Sequence, residues 1–147
     1  MNFNHFLITA SFLLIQSHTF SQIPITGYNH VALSVKDLDV SAAYYRDIIG
    51  LTQLRVPEDM TLIRAWFAIG PGQELHLLAG RKDDVCQSVN DKNGSHFSLT
   101  IPDANPVEDY FKSKNITYHR QQRFDGVWQI YITDPDGYVI ELNEPKK

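Results

Sequence analysis

Three histidines and one glutamate stand out by type and spacing: His30 in HVALSV, His76 in QELHLL, His96 in HFSLTI and Glu141 in YVIELN. Side chains alternate across a strand, so each of these residues has an apolar set at its back. Val31, Leu33 and Val35 oppose His30, and Leu75 and Leu77 oppose His76. Phe97, Leu99 and Ile101 oppose His96, and Ile140 and Leu142 oppose Glu141. Three imidazoles and a carboxylate form a nitrogen and oxygen donor set suited to Zn²⁺, Fe²⁺, Mn²⁺, Ni²⁺ or Co²⁺. A divalent ion so held polarises a substrate oxygen or acidifies a bound water. Glu141 can also leave such an ion and carry a proton. Taken singly, a histidine on a strand is more often a hydrogen-bonded or solvated residue than a ligand; what singles these four out is that their positions repeat.

HVALSV (30–35) and HFSLTI (96–101) match position by position, at an offset of 96 − 30 = 66. Each runs into an acidic turn, KDLD or PDAN, and then a helical pattern. In LDVSAAYYRDIIG the stripe is Val40, Ala43, Tyr44 and Ile48, ending at Gly50. In ANPVEDYFKSKN it is Val107, Tyr110 and Phe111, with a start at Asn105-Pro106. Three strand-like runs follow each helix: LTQLRV, LIRAWFAI and QELHLL, then ITYHRQ, VWQIYIT and YVIELN. PG at 71–72 and DPDG at 134–137 mark the last turn of each set. The expectation is an α+β fold of two βαβββ modules, 27–80 and 93–144, in one domain (27–144), with 81–92 as a charged linker. The mixed sheet curls around a cavity that gathers the four residues. The last strands align at 141 − 76 = 65, which sets His76 over Glu141 and Glu74 over the apolar Val139. Glu74 is therefore set aside. Gln129 and Tyr131 alternate away from Trp128 and Ile130 and are placed in the pocket lining. Arg64 and Trp66 share a face and suit a substrate anion and a flat apolar group. His119 has no counterpart in the repeat and is read as structural.

At 147 residues, with 43% hydrophobic and 20% charged residues, the chain suits one packed domain and not a disordered one. The net charge of −4 and the lack of a Lys/Arg cluster exclude a phosphate-binding patch, and with it nucleic acid as a partner. Residues 1–21 contain no Asp, Glu, Lys or Arg, and FLITASFLLI is an apolar run too short to span a bilayer. Thr19 and Ser21 supply the small residues of a cleavage site before Gln22, so this segment is read as a signal peptide that includes His5 and His18. The mature chain is then periplasmic or secreted. No cysteine follows the run to carry a lipid, so no membrane anchor is expected. Cys86 is the only cysteine, and it sits in a polar connector that offers no base to activate it.

HVALSVKDLDVSAAYYRDIIGL, the ELHLL strand and the closing QIYITDPDGYVIELNE resemble the vicinal oxygen chelate superfamily over essentially the whole mature chain. That superfamily includes glyoxalase I, fosfomycin-resistance proteins, methylmalonyl-CoA epimerase, extradiol dioxygenases and bleomycin-resistance proteins. The resemblance implies a glyoxalase-like fold with ligands on the first and last strand of each module. Carried over, they are His30, His76, His96 and Glu141. Glyoxalase I and epimerase members usually place Glu or Gln where this chain has His76, which leaves Glu141 as the one ligand able to act as a base. The extradiol and fosfomycin branches use two His and one Glu, which makes His76 a fourth ligand or a substrate-facing acid/base group. The implied activity is lyase, isomerase or ring-opening dioxygenase chemistry on a small substrate chelated through vicinal oxygens. The alternative is a non-catalytic binding or sequestering protein of the bleomycin-resistance type. Family members pair modules within a chain or between chains, so a homodimer is expected. Glyoxalase I depends on a cytosolic thiol cofactor, and export argues against that particular reaction.

Overall fold

A computed structural model describes residues 23–83 and 94–146. The leader with His5 and His18, most of the linker, and Cys86 lie outside the described residues. In the first module β1 (His30–Val35) leads through Asp37 into α1 (Leu38–Ala43), followed by β2 (Thr52–Leu54), β3 (Arg64–Gly70) and β4 (Gln73–Ala79). The second repeats the order with β5 (His96–Thr100), α2 (Ala104–Ser113), β6 (His119–Gln122), β7 (Trp128–Thr133) and β8 (Val139–Asn143). Each module forms its own four-stranded mixed sheet, β1-β4-β3-β2 and β5-β8-β7-β6, with the first and last strands parallel. The expected βαβββ repeat and α+β class are present, as two separate sheets in place of one continuous curl.

The helices begin where the sequence supplies an acceptor for free N–H groups. Asp37 caps α1 by accepting from Asp39 N and Val40 N at 3.0 and 3.1 Å. Asp103 caps α2 by accepting from Asn105 N at 2.8 Å. That places the second start two residues ahead of the expected Asn105-Pro106; Pro106 sits inside the first turn, where no N–H is required of it. The first helix continues past Ala43 as a π-helical turn, Tyr44–Ile48. Tyr45, Ser41 and Ala42 are the buried side chains, while Val40, expected on the inner stripe, is 52% exposed. The strand LIRAWFAI likewise starts late, because Leu62 and Ile63 lie outside it and are exposed. Among the described residues no helix is long and apolar enough to cross a membrane.

The apolar backs of both sheets form one core. Leu33, Val35, Phe67, Leu75 and Leu77 come from the first module, and Phe111, Ile130, Ile132, Ile140 and Leu142 from the second. The modules are also joined by a buried polar seam. The DPDG turn, closed with Gly137 at φ 88°, presents two carboxylates to the first helix. Asp134 Oδ2 accepts from the Tyr45 hydroxyl at 2.8 Å, and Asp136 accepts from Ser41 Oγ at 2.7 Å and from Lys36 N at 2.8 Å. Tyr44 donates to the carbonyl of Thr133 at 3.0 Å. Burial raises the Asp134 carboxyl above its ordinary value, against the pull of its hydrogen bonds from Tyr45 and Tyr138 N. The Tyr45 hydroxyl is raised too, first by burial and then by the Asp134 charge.

Candidate metal centre

Cross-strand neighbours share a face, so register identifies the open face of each sheet. In the first module it carries His30 opposite Glu74, His76 opposite both Ala32 and Trp66, Arg64 opposite Leu78, and Leu54 opposite Trp66. In the second it carries Glu141 opposite both Ser98 and Tyr131, His119 opposite Tyr131, and Gln121 opposite Gln129. The expected alternation therefore holds at all four positions.

The four residues meet as two pairs. His96 Nε2 lies 2.9 Å from Glu141 Oε2, and Glu141 is only 7% exposed. His30 and His76 stack with ring centroids 4.4 Å apart and planes inclined by 16°. Among the described residues, no three side chains of His, Cys, Asp or Glu converge to hold an ion within one chain. Of the two arrangements expected, a site within one chain or one shared between chains, the first is not seen among the described residues. Among the described residues the strands form two four-stranded sheets, and no strand of one pairs with a strand of the other.

The His96–Glu141 pair fits a cation on chemical grounds. His96 Nδ1 donates to the carbonyl of Gly94 at 2.8 Å, which leaves the lone pair of the neutral ring on Nε2. That lone pair faces a carboxylate oxygen, which is also only an acceptor. Two acceptors at hydrogen-bond distance require a proton or a metal ion between them. His30 follows the same rule, with Nδ1 donating to Asn29 Oδ1 at 2.6 Å and Nε2 left as the available donor atom.

His76 is held differently. Its ring lies between His30 and Trp66, whose indole stacks on it at 4.8 Å. Its Nε2 is 2.7 Å from Glu74 Oε2. Glu74, set aside because its repeat partner is Val139, is thus the direct partner of His76. Two residues apart on one strand they share a face, and that spacing is a signal in its own right.

On the second module Tyr131 is buried and meets the His96 ring edge-on at 5.9 Å. Burial and the nearby Glu141 charge raise its hydroxyl pKa, so it remains a proton-bearing donor. Gln129 donates to Glu141 Oε1 and accepts from Gln121 Nε2 at 3.1 Å. Gln129 is thus held between Glu141 and Gln121 on that face. His119 packs against Tyr131 at 6.2 Å, on the same face as Glu141. Asn143 shares that face, with a buried Oδ1 that accepts no hydrogen bond among the described residues. The Arg64 guanidinium turns back to the Ile63 carbonyl at 2.8 Å. A groove of about 1080 Å³ runs between the modules along β5, lined by apolar residues such as Ile49, Leu51, Phe97 and Leu142. Of the four candidate ligands it touches only His96, so its size does not mark the chemical site.

Two paired βαβββ modules with histidine on each first strand, and His76 and Glu141 on the last strands, define a vicinal-oxygen-chelate type of protein. Residues 27–142 match the family model for the Glyoxalase/Bleomycin resistance protein/Dioxygenase superfamily, and the chain belongs to that family. It is 29% identical over 124 residues to Glyoxylase I 4 of Arabidopsis thaliana, covering 80% of this chain and 70% of that one. It is 30% identical over 124 residues to the metallothiol transferase FosB of Staphylococcus haemolyticus, covering 81% and 84%. A glyoxalase family structure from Bacillus anthracis superposes with a TM-score of 0.71 at 22% identity, over 86% of this chain and all of the other.

Proposed function

We propose that this chain is a metal-dependent enzyme that acts on a small substrate through two adjacent oxygens, with His30, His96 and Glu141 as ligands. The observation that carries the reading is the His96–Glu141 pair, in which Nε2 and Oε2 lie 2.9 Å apart, a spacing that a shared proton or a bound cation satisfies, while the other ring nitrogen is committed to Gly94. The name of the metallothiol transferase relative agrees with it. A divalent ion of the zinc, iron, manganese, nickel or cobalt type, bound there, supplies Lewis-acid activation of a substrate oxygen.

The chain's own residues supply the rest. Tyr131 offers a protonated hydroxyl beside Glu141 for a developing oxyanion. His76 shares a proton with Glu74 at Nε2, which fits an acid/base group better than a fourth ligand. Trp66 backs that imidazole and presents a flat wall. Because one chain assembles two pairs, the site is completed by a homodimer in which the first module of one copy faces the second module of the other. Export after cleavage near Ser21 completes the reading. It separates this chain from reactions that draw on a cytosolic thiol, and leaves lyase, isomerase or ring-opening chemistry.

The test is elemental analysis of purified protein beside His30→Ala and Glu141→Ala, each alone and mixed. A shared site predicts that both variants lose metal and that the mixture recovers it, since one of the two sites in a mixed dimer is intact. Sites within single chains recover nothing on mixing. Wild-type protein that takes up none of the five metals defeats the enzyme reading in favour of sequestration.

A further inference from the structure

We infer that Gln121 and Gln129 are positioning residues for Glu141: they commit its Oε1 to the protein and leave Oε2 alone facing His96. The inference rests on the metal reading above and adds which carboxylate oxygen is offered and what holds the other. An ionised glutamate is acceptor-only, with two oxygens equally able to turn toward a cation. In this structure they are not equivalent. Oε1 accepts from Gln129 Nε2, and Oε2 faces His96 Nε2. A glutamine amide has one donor end and one acceptor end, so its orientation must itself be fixed. Gln121 does this by donating from Nε2 to Gln129 Oε1 at 3.1 Å. A reversed Gln129 would set its oxygen against the Glu141 carboxylate and its NH₂ against the NH₂ of Gln121.

The relay crosses three adjacent strands, from β6 through β7 to β8. Gln129 is 5% exposed and Glu141 7%, so water competes little for either oxygen. The first module has no such relay. The offset of 65 places Arg64 at the Gln129 position (129 − 65 = 64), where the guanidinium goes to the Ile63 carbonyl. It places Val56 at the Gln121 position (121 − 65 = 56), past the end of β2. The positioning device accompanies the carboxylate and is missing opposite His76.

The experiment titrates full-length protein with Zn²⁺ against a chromophoric chelator and records the visible spectrum of the Co²⁺ form. Gln129→Met and Gln121→Met are compared with wild type, with circular dichroism and melting used to confirm folding. Gln129→Met is expected to weaken zinc by about 10- to 100-fold and to shift the cobalt bands, as a freed Oε1 changes the ligand set. Gln121→Met moves both readouts the same way by less, under about tenfold. It alone decides the matter if Gln129→Met does not fold. Folded variants that keep zinc affinity within about twofold and an unchanged cobalt spectrum overturn the positioning role and leave the metal reading standing. Wild type that binds neither ion overturns both.

Discussion

The open faces of the two modules are built on the same strands in the same order, yet different forces hold them. In the first, three flat rings stack, His30 on His76 on Trp66, with side hydrogen bonds from His76 to Glu74 and from His30 to Asn29. In the second, hydrogen bonds dominate, running Gln121, Gln129, Glu141, His96 to the Gly94 carbonyl. Stacking orients a ring plane and tolerates sliding, whereas charge-assisted hydrogen bonds fix individual atoms. On the proposed reading the second module supplies two of the three ligands, and the first adds His30 together with the stacked rings and the acid/base group.

The sharpest way to break this contrast is to remove one imidazole from each face. His96→Ala is expected to weaken zinc by more than about 100-fold, whereas His76→Ala stays within about tenfold and lowers turnover instead. Chelator competition and steady-state kinetics on the same preparations decide it, and equal losses of affinity would erase the distinction. A smaller effect sits at the seam, where the second module's turn reaches the first module's helix. Tyr45→Phe strips a hydrogen bond from a buried carboxylate and should cost about 1–3 kcal/mol in chemical unfolding. The raised Asp134 carboxyl gives that seam a sign with pH. A carboxyl with a folded pKa above its unfolded value of 3.8 favours the fold fully below that value, and the benefit is lost as pH rises through the folded pKa. Asp134→Asn should therefore flatten the decline in melting temperature above about pH 3.8, and an unchanged slope would show that the carboxylate does not set it.

The smallest effects test whether the modules differ only on their open faces. Asp37→Ala and Asp103→Ala each remove an N-cap and should each cost about 1 kcal/mol. The first should cost slightly more, since Asp37 accepts from two backbone N–H groups and Asp103 from one. A large inequality in urea denaturation would mean that the helices, too, are unequal.

Strand parity is a rigid rule, so the faces carrying His30, His76, His96 and Glu141 were legible from alternation and repetition alone. How the two faces stand to one another was not. It depends on contacts such as Tyr45 with Asp134 and Ser41 with Asp136, which join residues 89 and 95 positions apart. In the sequence those two aspartates are only turn formers. The repeat that singled out the candidate ligands also hid two neighbours. His119 stands where the first module has Leu54 (119 − 65 = 54), and Glu74 stands where the second has Val139. A search for matched pairs discards whatever one copy has specialised. Val40 lies in the regular part of α1. The buried residues there and in the turn beyond, Ser41, Ala42 and Tyr45, keep ordinary helical spacing, so the inner face includes a small polar residue, Ser41, that hydrophobicity alone does not mark.

The π-helical turn Tyr44–Ile48 sets a length constraint on the chain. In a regular helix, neighbouring side chains point about a third of a turn apart. Here Tyr44 and Tyr45 both deliver their hydroxyls to the same loop, at Thr133 and Asp134. A π turn holds one residue more than the α-helix it interrupts. Deleting a single residue from 44–48 would restore the tighter winding and swing one tyrosine out of reach, although no other side chain in the segment need change. A one-residue deletion here should therefore cost more in chemical unfolding than Tyr45→Phe does.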